Sequence, residues 1–341
     1  NIILGESPER LLGLMMGCGS FVTAAAPAIG PTFGGIMTQY FTWRYIFICV
    51  LPVIVLASFI GYFCMSEQII NKHEKFDLLS FIAVALAFVS LIMGFSNLNQ
   101  IVDDLVFVLG CFIIGIISLY YFTKRQLHIK NSLIRIEIFN HKGFTFHTLA
   151  IMFLQMTTLG YGLLLPTFVQ IVLKQPATDA GVVLLPGAIV GAVFAPIGGL
   201  ILDRLGAKKP IVLGLCCSFI ATFCFLFFFK NLTYQSCILF YFIYSLGIGL
   251  IVGNTMTSAM SHLPKNLQAD GNATLQTLMQ LSGGIGTSIT ATILAFVQQG
   301  TNLYDGTNRG ALFVLIFLMF NINIVILSQY FAFKGGKKNE F

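Results

Sequence analysis

The sequence predicts an all-α, polytopic membrane protein, and three observations predict it. Charged residues make up 9% of the chain and apolar ones 57%, where soluble domains carry about 25% charged residues. The charges are clustered, leaving ten nearly uncharged segments long enough to cross a bilayer, which takes about 20 apolar residues. The alternating pattern of a membrane barrel is absent from these segments.

The first segment, 11–38, contains the stretch APAIGPTFGG at 26–35. In a helix interior proline costs about 3 kcal/mol and glycine about 1 kcal/mol relative to alanine. Ala26, Gly30 and Gly34 recur at every fourth position, which places them on one helix face. In lipid such a face lets two backbones approach, so packing replaces the missing hydrophobic drive. Pro27 and Pro31 are expected to bend this helix near mid-membrane, where neighbouring helices can satisfy the freed carbonyls. The second segment, 43–65, follows after a short turn. A polar stretch with Lys72 and Lys75 leads to a close pair, 78–95 and 105–123, and a basic stretch, 124–144, leads to 144–173. Segment 180–202 repeats the first device, with Gly187, Gly191, Ala195 and Gly199 four apart and Pro186 and Pro196 beside them. The two small-residue faces are expected to pair with each other, ordinary transmembrane packing being the other reading of each. Segments 210–229, 235–262, 272–298 and 310–330 complete the set, followed by the short basic tail 331–341.

With the first segment running outward, 15 of the 19 basic residues, all but Arg44, Lys174, Lys230 and Arg309, fall on the cytoplasmic side. That asymmetry is the one positively charged loops impose. The net charge of +6 then reflects a basic face near anionic lipid and calls for no nucleic-acid partner. Cys18, Cys49, Cys64, Cys111, Cys216, Cys217, Cys224 and Cys237 lie in or beside apolar segments, without metal-ligand spacing, and read as small apolar residues. His73, His128, His141, His147 and His262 fall in loops or at helix ends and are expected to be solvated. With no nucleophile elbow, phosphate loop or HExxH, the sequence offers an enzyme no chemistry. The chain begins at Asn1, and NIILGESPERLLG reads as a helix end, a polar turn and the next helix. A piece of a longer protein is expected.

Gly17, Ala26, Gly30–Pro31 and Gly34–Gly35 are spaced as in the antiporter motif on the fifth helix of drug:proton antiporters of the major facilitator superfamily, which this stretch resembles. Ala26 stands where that family usually has glycine. YFTWRYIF (40–47) is similar to the start of the family's sixth helix. GGLILDRLGAKKP (198–210) resembles the superfamily's loop motif through Gly199, Asp203, Arg204, Gly206, Lys208 and Lys209, with Ala207 at a usual Arg position. Segments 179–199 and 272–289 look like the eighth and eleventh core helices of the fourteen-spanner branch, and the extra pair at 78–123 favours that branch.

The resemblance implies a major facilitator fold with ten transmembrane helices present of fourteen. Residues 1–65 would end the first six-helix half, 66–143 would form a two-helix insertion with its cytoplasmic loop, 144–330 the second half, and 331–341 a cytoplasmic tail. It also implies alternating access, with two halves rocking about a central site, and the motif glycines as conformational residues at the contact between halves. Leucine at Gly30 or Gly34 would then abolish transport. Asp203 would cap a neighbouring helix or remain a solvated loop charge, while Lys208 and Lys209 set topology. Because the family lines its cavity with the seventh and tenth core helices among others, Gln155, Tyr161 and Asn254, and with them Gln276 and Gln280, are candidates to face substrate. Hydrogen bonding between helices is the alternative for each.

The implied activity is proton-driven export of amphipathic drugs or toxic compounds by a monomer in a bacterial plasma membrane. The proton gradient would be the energy source, with no cofactor or metal. Export of one specific metabolite, or a truncated remnant that transports nothing, are the alternatives. None of the 13 acidic residues lies centrally in a segment, so a coupling acid is expected in helices upstream of Asn1.

Overall fold

In lipid, an apolar segment of this length must satisfy its own backbone hydrogen bonds, which leaves the helix as its conformation. The computed structural model describes residue 30 and residues 32–64, 77–100, 104–129 and 134–336. A helix over 32–40 (α1) precedes α2 (Arg44–Cys64), α3 (Leu78–Ser96) and α4 (Leu105–His128). Next come α5 (Lys142–Ile171), a short α6 (Ala177–Val182) and α7 (Leu185–Leu205). The chain continues through α8 (Lys208–Phe227), α9 (Tyr234–Ser261), α10 (Gln268–Gln298) and α11 (Leu303–Gly336). Among the described residues, nine helical spans are long and apolar enough to cross a membrane. Most of the expected segment 11–38 lies outside the described residues.

The boundaries differ from the hydropathy reading where polar residues belong to helices. α4 runs on to His128, taking in Lys124 and Arg125, because cations are favoured in a helix's last turn. α11 reaches beyond 310–330 at both ends. Segment 180–202 is divided, with α6 ending at Val182 and α7 starting at Leu185. Pro186 occupies the first turn of α7, where a missing N–H leaves nothing unbonded. Thr233 and Ser236 form a reciprocal capping box that starts α9.

α5 is the central helix. It packs against α9, α10 and α11, and α9 in turn packs against α7 and α8. The core residues of α5 include Phe144, Ile151, Leu154, Tyr161, Leu165 and Phe168, a three-and-four spacing that keeps one stripe inward. Where helices come closest, glycine is required. A Cβ on Gly191 of α7 would stand 2.9 Å from the Ser245 carbonyl of α9, and one on Gly286 of α10 would stand 2.5 Å from Met156 Cα of α5.

α3 and α4 form a hairpin clamped at one end. Arg125 donates from Nε to Asp77 Oδ2 and from a terminal nitrogen to Oδ1, both at 3.0 Å. Ser80 also donates to Asp77, and buried Gln126 donates to Ser80 Oγ at 2.8 Å while accepting from Ile134 N–H at 3.1 Å. These partners hold the Asp77 carboxyl well below the usual carboxylate range, Arg125 most strongly and the Ser80 bonds next. The hairpin docks on α10 through Ser96 and Ser288, whose hydroxyls are 2.8 Å apart, and through Thr292, which donates to the Phe95 carbonyl at 2.8 Å. α2 is different: none of its apolar window is buried among the described residues.

Candidate functional site

Of the motif at 17–35, Gly17, Ala26 and Pro31 lie outside the described residues. Among those described, a Cβ on Gly30 or Gly34 meets nothing within 4 Å, whereas one on Gly35 would come 2.6 Å from the Ala177 carbonyl and 3.3 Å from Gly181 Cα. Thr32 donates to the Gly181 carbonyl at 3.1 Å, and Gln39 Oε1 accepts from Thr178 N–H at 2.9 Å. The last bond satisfies one of the orphan donors in the first turn of α6, which has no side-chain cap of its own. α1 thus sits against α6, with Gly35 at the close approach.

The small face of α7 is turned elsewhere. Cβ atoms on Gly187, Gly191 and Gly198 would run into Tyr241, Ser245 and Asn254 of α9, while Gly199 is open. The expected pairing of the two small-residue faces is therefore corrected: α7 uses its glycines to approach α9, and α1 reaches the segment at α6. Spacing shows that a face is small, and says nothing of which neighbour takes it.

The loop motif lies at the end of α7. Asp203 and Arg204 occupy its last turn and are exposed, as are Lys208 and Lys209 at the start of α8. Of the two readings of Asp203, the exposed loop charge is the one seen at α8, whose N-cap Ala207 receives no side-chain cap. Gly206 closes α7, its φ of 78° lying in the left-handed region and its N–H donating to the Leu202 carbonyl at 2.8 Å.

The five candidate cavity residues separate into two groups. Tyr161 is fully buried, donates to Thr222 Oγ1 at 2.9 Å and packs on Phe225 and Tyr244. Asn254 is buried, donates to the Leu250 carbonyl at 2.7 Å and abuts Gly198. In this structure each is engaged in helix–helix packing, the second of the two readings the sequence leaves open for it. Gln155 is half-buried at the edge of α10 beside Gly283, and Gln276 and Gln280 are exposed. Along the same stripe of α10, Gly284 meets Ile92 and Ser288 meets Ser96, so the hairpin covers its far end.

A buried polar cluster was missed. His147, expected to be solvated, is fully buried, with Nε2 3.0 Å from Ser258 Oγ. The His262 ring lies 5.3 Å away, and its Nδ1 is 2.7 Å from the Ser258 carbonyl. Gln329 donates to Thr255 Oγ1 at 3.1 Å, and His147 Nδ1 and Gln329 Oε1 are buried beyond hydrogen-bond geometry of any polar atom among the described residues. The signal was available: His147, Ile151, Leu154 and Tyr161 share the inward stripe of α5.

Residues 1–287 match the Major Facilitator Superfamily. The chain belongs to that superfamily of membrane transporters, and is a multi-pass protein of a bacterial cell membrane, not an enzyme. Several of its relatives carry resistance or export names. It is 30% identical to the lincomycin resistance protein LmrB of Listeria monocytogenes, over 91% of this chain and 65% of that protein. It is 32% identical to LmrB of Bacillus subtilis, over 86% of this chain and 62% of that one. With the tetracenomycin C resistance and export protein of Streptomyces glaucescens it shares 24% identity, over 84% of this chain and 54% of that one. The chain thus spans at most about two thirds of the length of these relatives.

Proposed function

We propose that this chain is the larger part of a fourteen-helix, proton-driven exporter of amphipathic drugs or toxic compounds that works by alternating access as a monomer. The observation that carries the reading is the contact of α1 with α6. A first-half helix meets the second half through one glycine and two hydrogen bonds, a contact small enough to break in each cycle. By the charge asymmetry this contact lies at the outer end, so it would close the pathway to the outside. Gln155, Gln276 and Gln280 are the polar side chains left to meet substrate. The names of the LmrB relatives support a drug cargo. The Streptomyces relative, named for one compound, favours a second reading in which the cargo is a single metabolite.

The test is efflux of lincomycin and of a fluorescent cationic dye from a drug-sensitive bacterium. The strain expresses this chain with any in-frame coding sequence that precedes Asn1. Export of both compounds that stops on adding an uncoupler is expected. Export that survives the uncoupler would overturn the proton drive, and export of neither compound would overturn the drug reading. Gly35→Leu tests the gate. Overpacking costs about 1–3 kcal/mol, which lowers the closed-to-open ratio by about fivefold to 150-fold, so efflux falls while membrane insertion is kept. Gly34→Leu, at a position where a Cβ meets nothing within 4 Å, is expected to retain efflux, in place of the loss that the motif resemblance implies.

A further inference from the structure

α8 and α11 are in contact, yet beside that contact they leave a groove of about 650 Å³. Its walls are apolar, with Phe219 and Ile220 from α8 and Ile326 and Phe333 from α11. One end is different: Lys208, the first residue of α8, and Lys334, in the last turn of α11, both line it. Both lysines are exposed, and neither has a carboxylate within 4 Å among the described residues. The start of α8 is also without a side-chain cap, so its first N–H groups add to the positive potential there. By the charge asymmetry this end lies at the cytoplasmic surface.

Gln329 is a polar exception in the wall. It is 2% exposed, its Nε2 donates to Thr255, and its amide belongs to the buried cluster around His147. At 1.5 Å rise per residue, Gln329 lies about 7.5 Å deeper than Lys334. Basic pockets between transmembrane helices at the cytoplasmic surface take anionic headgroups.

We propose that this groove is a binding site for an anionic phospholipid, with its phosphate at Lys208 and Lys334 and an acyl chain along Phe219, Ile220 and Ile326. The site stands independently of the transport reading, since it needs no pathway and no cargo.

Native mass spectrometry of the detergent-solubilised chain tests it, with phosphatidylglycerol and phosphatidylcholine of identical acyl chains as probes. Retention of phosphatidylglycerol about tenfold above phosphatidylcholine is expected. The double variant Lys208→Gln, Lys334→Gln should reduce it to the phosphatidylcholine level, and Lys209→Gln, whose side chain is not among the groove's lining residues, should leave it unchanged. Equal retention of the two lipids, or equal loss in Lys209→Gln, would overturn the site. A reporter that keeps both lysines decides the matter if the double variant does not fold. With Trp43, the single tryptophan, changed to Phe, Val212→Trp places an indole in the groove. Brominated phosphatidylglycerol should quench it more than brominated phosphatidylcholine, and equal quenching would overturn the assignment.

Discussion

Gly206 shows how much a single residue can be asked to do. Its φ of 78° and ψ of 161° belong to a backbone region that is essentially reserved for glycine and costs another residue about 1–3 kcal/mol. That conformation turns the chain out of α7 within two residues of the start of α8. Gly206→Ala is expected to lower the thermal unfolding midpoint in detergent, whereas Gly199→Ala, at an open helical position, should hold or raise it. Equal midpoints for the two variants would remove the strain argument. The buried residues of α5 teach a different lesson. Tyr161 and His147 are polar groups on an inward stripe, and at membrane depth a polar side chain looks the same in sequence whether it faces a cavity or a neighbouring helix. Only the partners, Thr222 for Tyr161 and Ser258 for His147, separate the two readings.

At the scale of the element, the α3–α4 hairpin depends on Asp77. Its folded-state affinity for a proton is depressed by Arg125 and Ser80, so its contribution to stability is present above the ordinary carboxylate value. That contribution is lost only as the pH falls through the depressed one. Hairpin protection in hydrogen exchange should therefore be flat from pH 8 down to about 5 and decline only in stronger acid. Asp77→Asn should remove protection around Ser80 and Ile134 at every pH; unchanged exchange there would show that the bridge holds nothing. The existence of the helices was legible because long uncharged runs admit one conformation in lipid. Their pairing was not. Gly187 and Gly191 form a small face that suits any close neighbour, and the chain carries no mark that this neighbour is α9 and not the helix around Gly35. The same holds for α10, whose stripe from Gln276 to Ser288 is open at one end and covered by α3 at the other.

For the molecule as a whole, the α1–α6 contact predicts a conformational lock. Cysteines at Gln39 and Thr178, joined by a short bifunctional reagent, should stop efflux, and reduction of a cleavable linker should restore it. Transport that continues in fully cross-linked protein would show that these two segments never part. The hairpin has a consequence of another kind, for the order in which the molecule is made. Its internal clamp joins residues 48 positions apart, whereas Ser96 and Ser288 are separated by 192. Synthesis delivers the chain from its amino terminus, so the hairpin is finished while its docking face on α10 does not yet exist. It must wait in the bilayer as a self-sufficient pair, and it becomes part of the bundle only when Ser288 and Thr292 emerge.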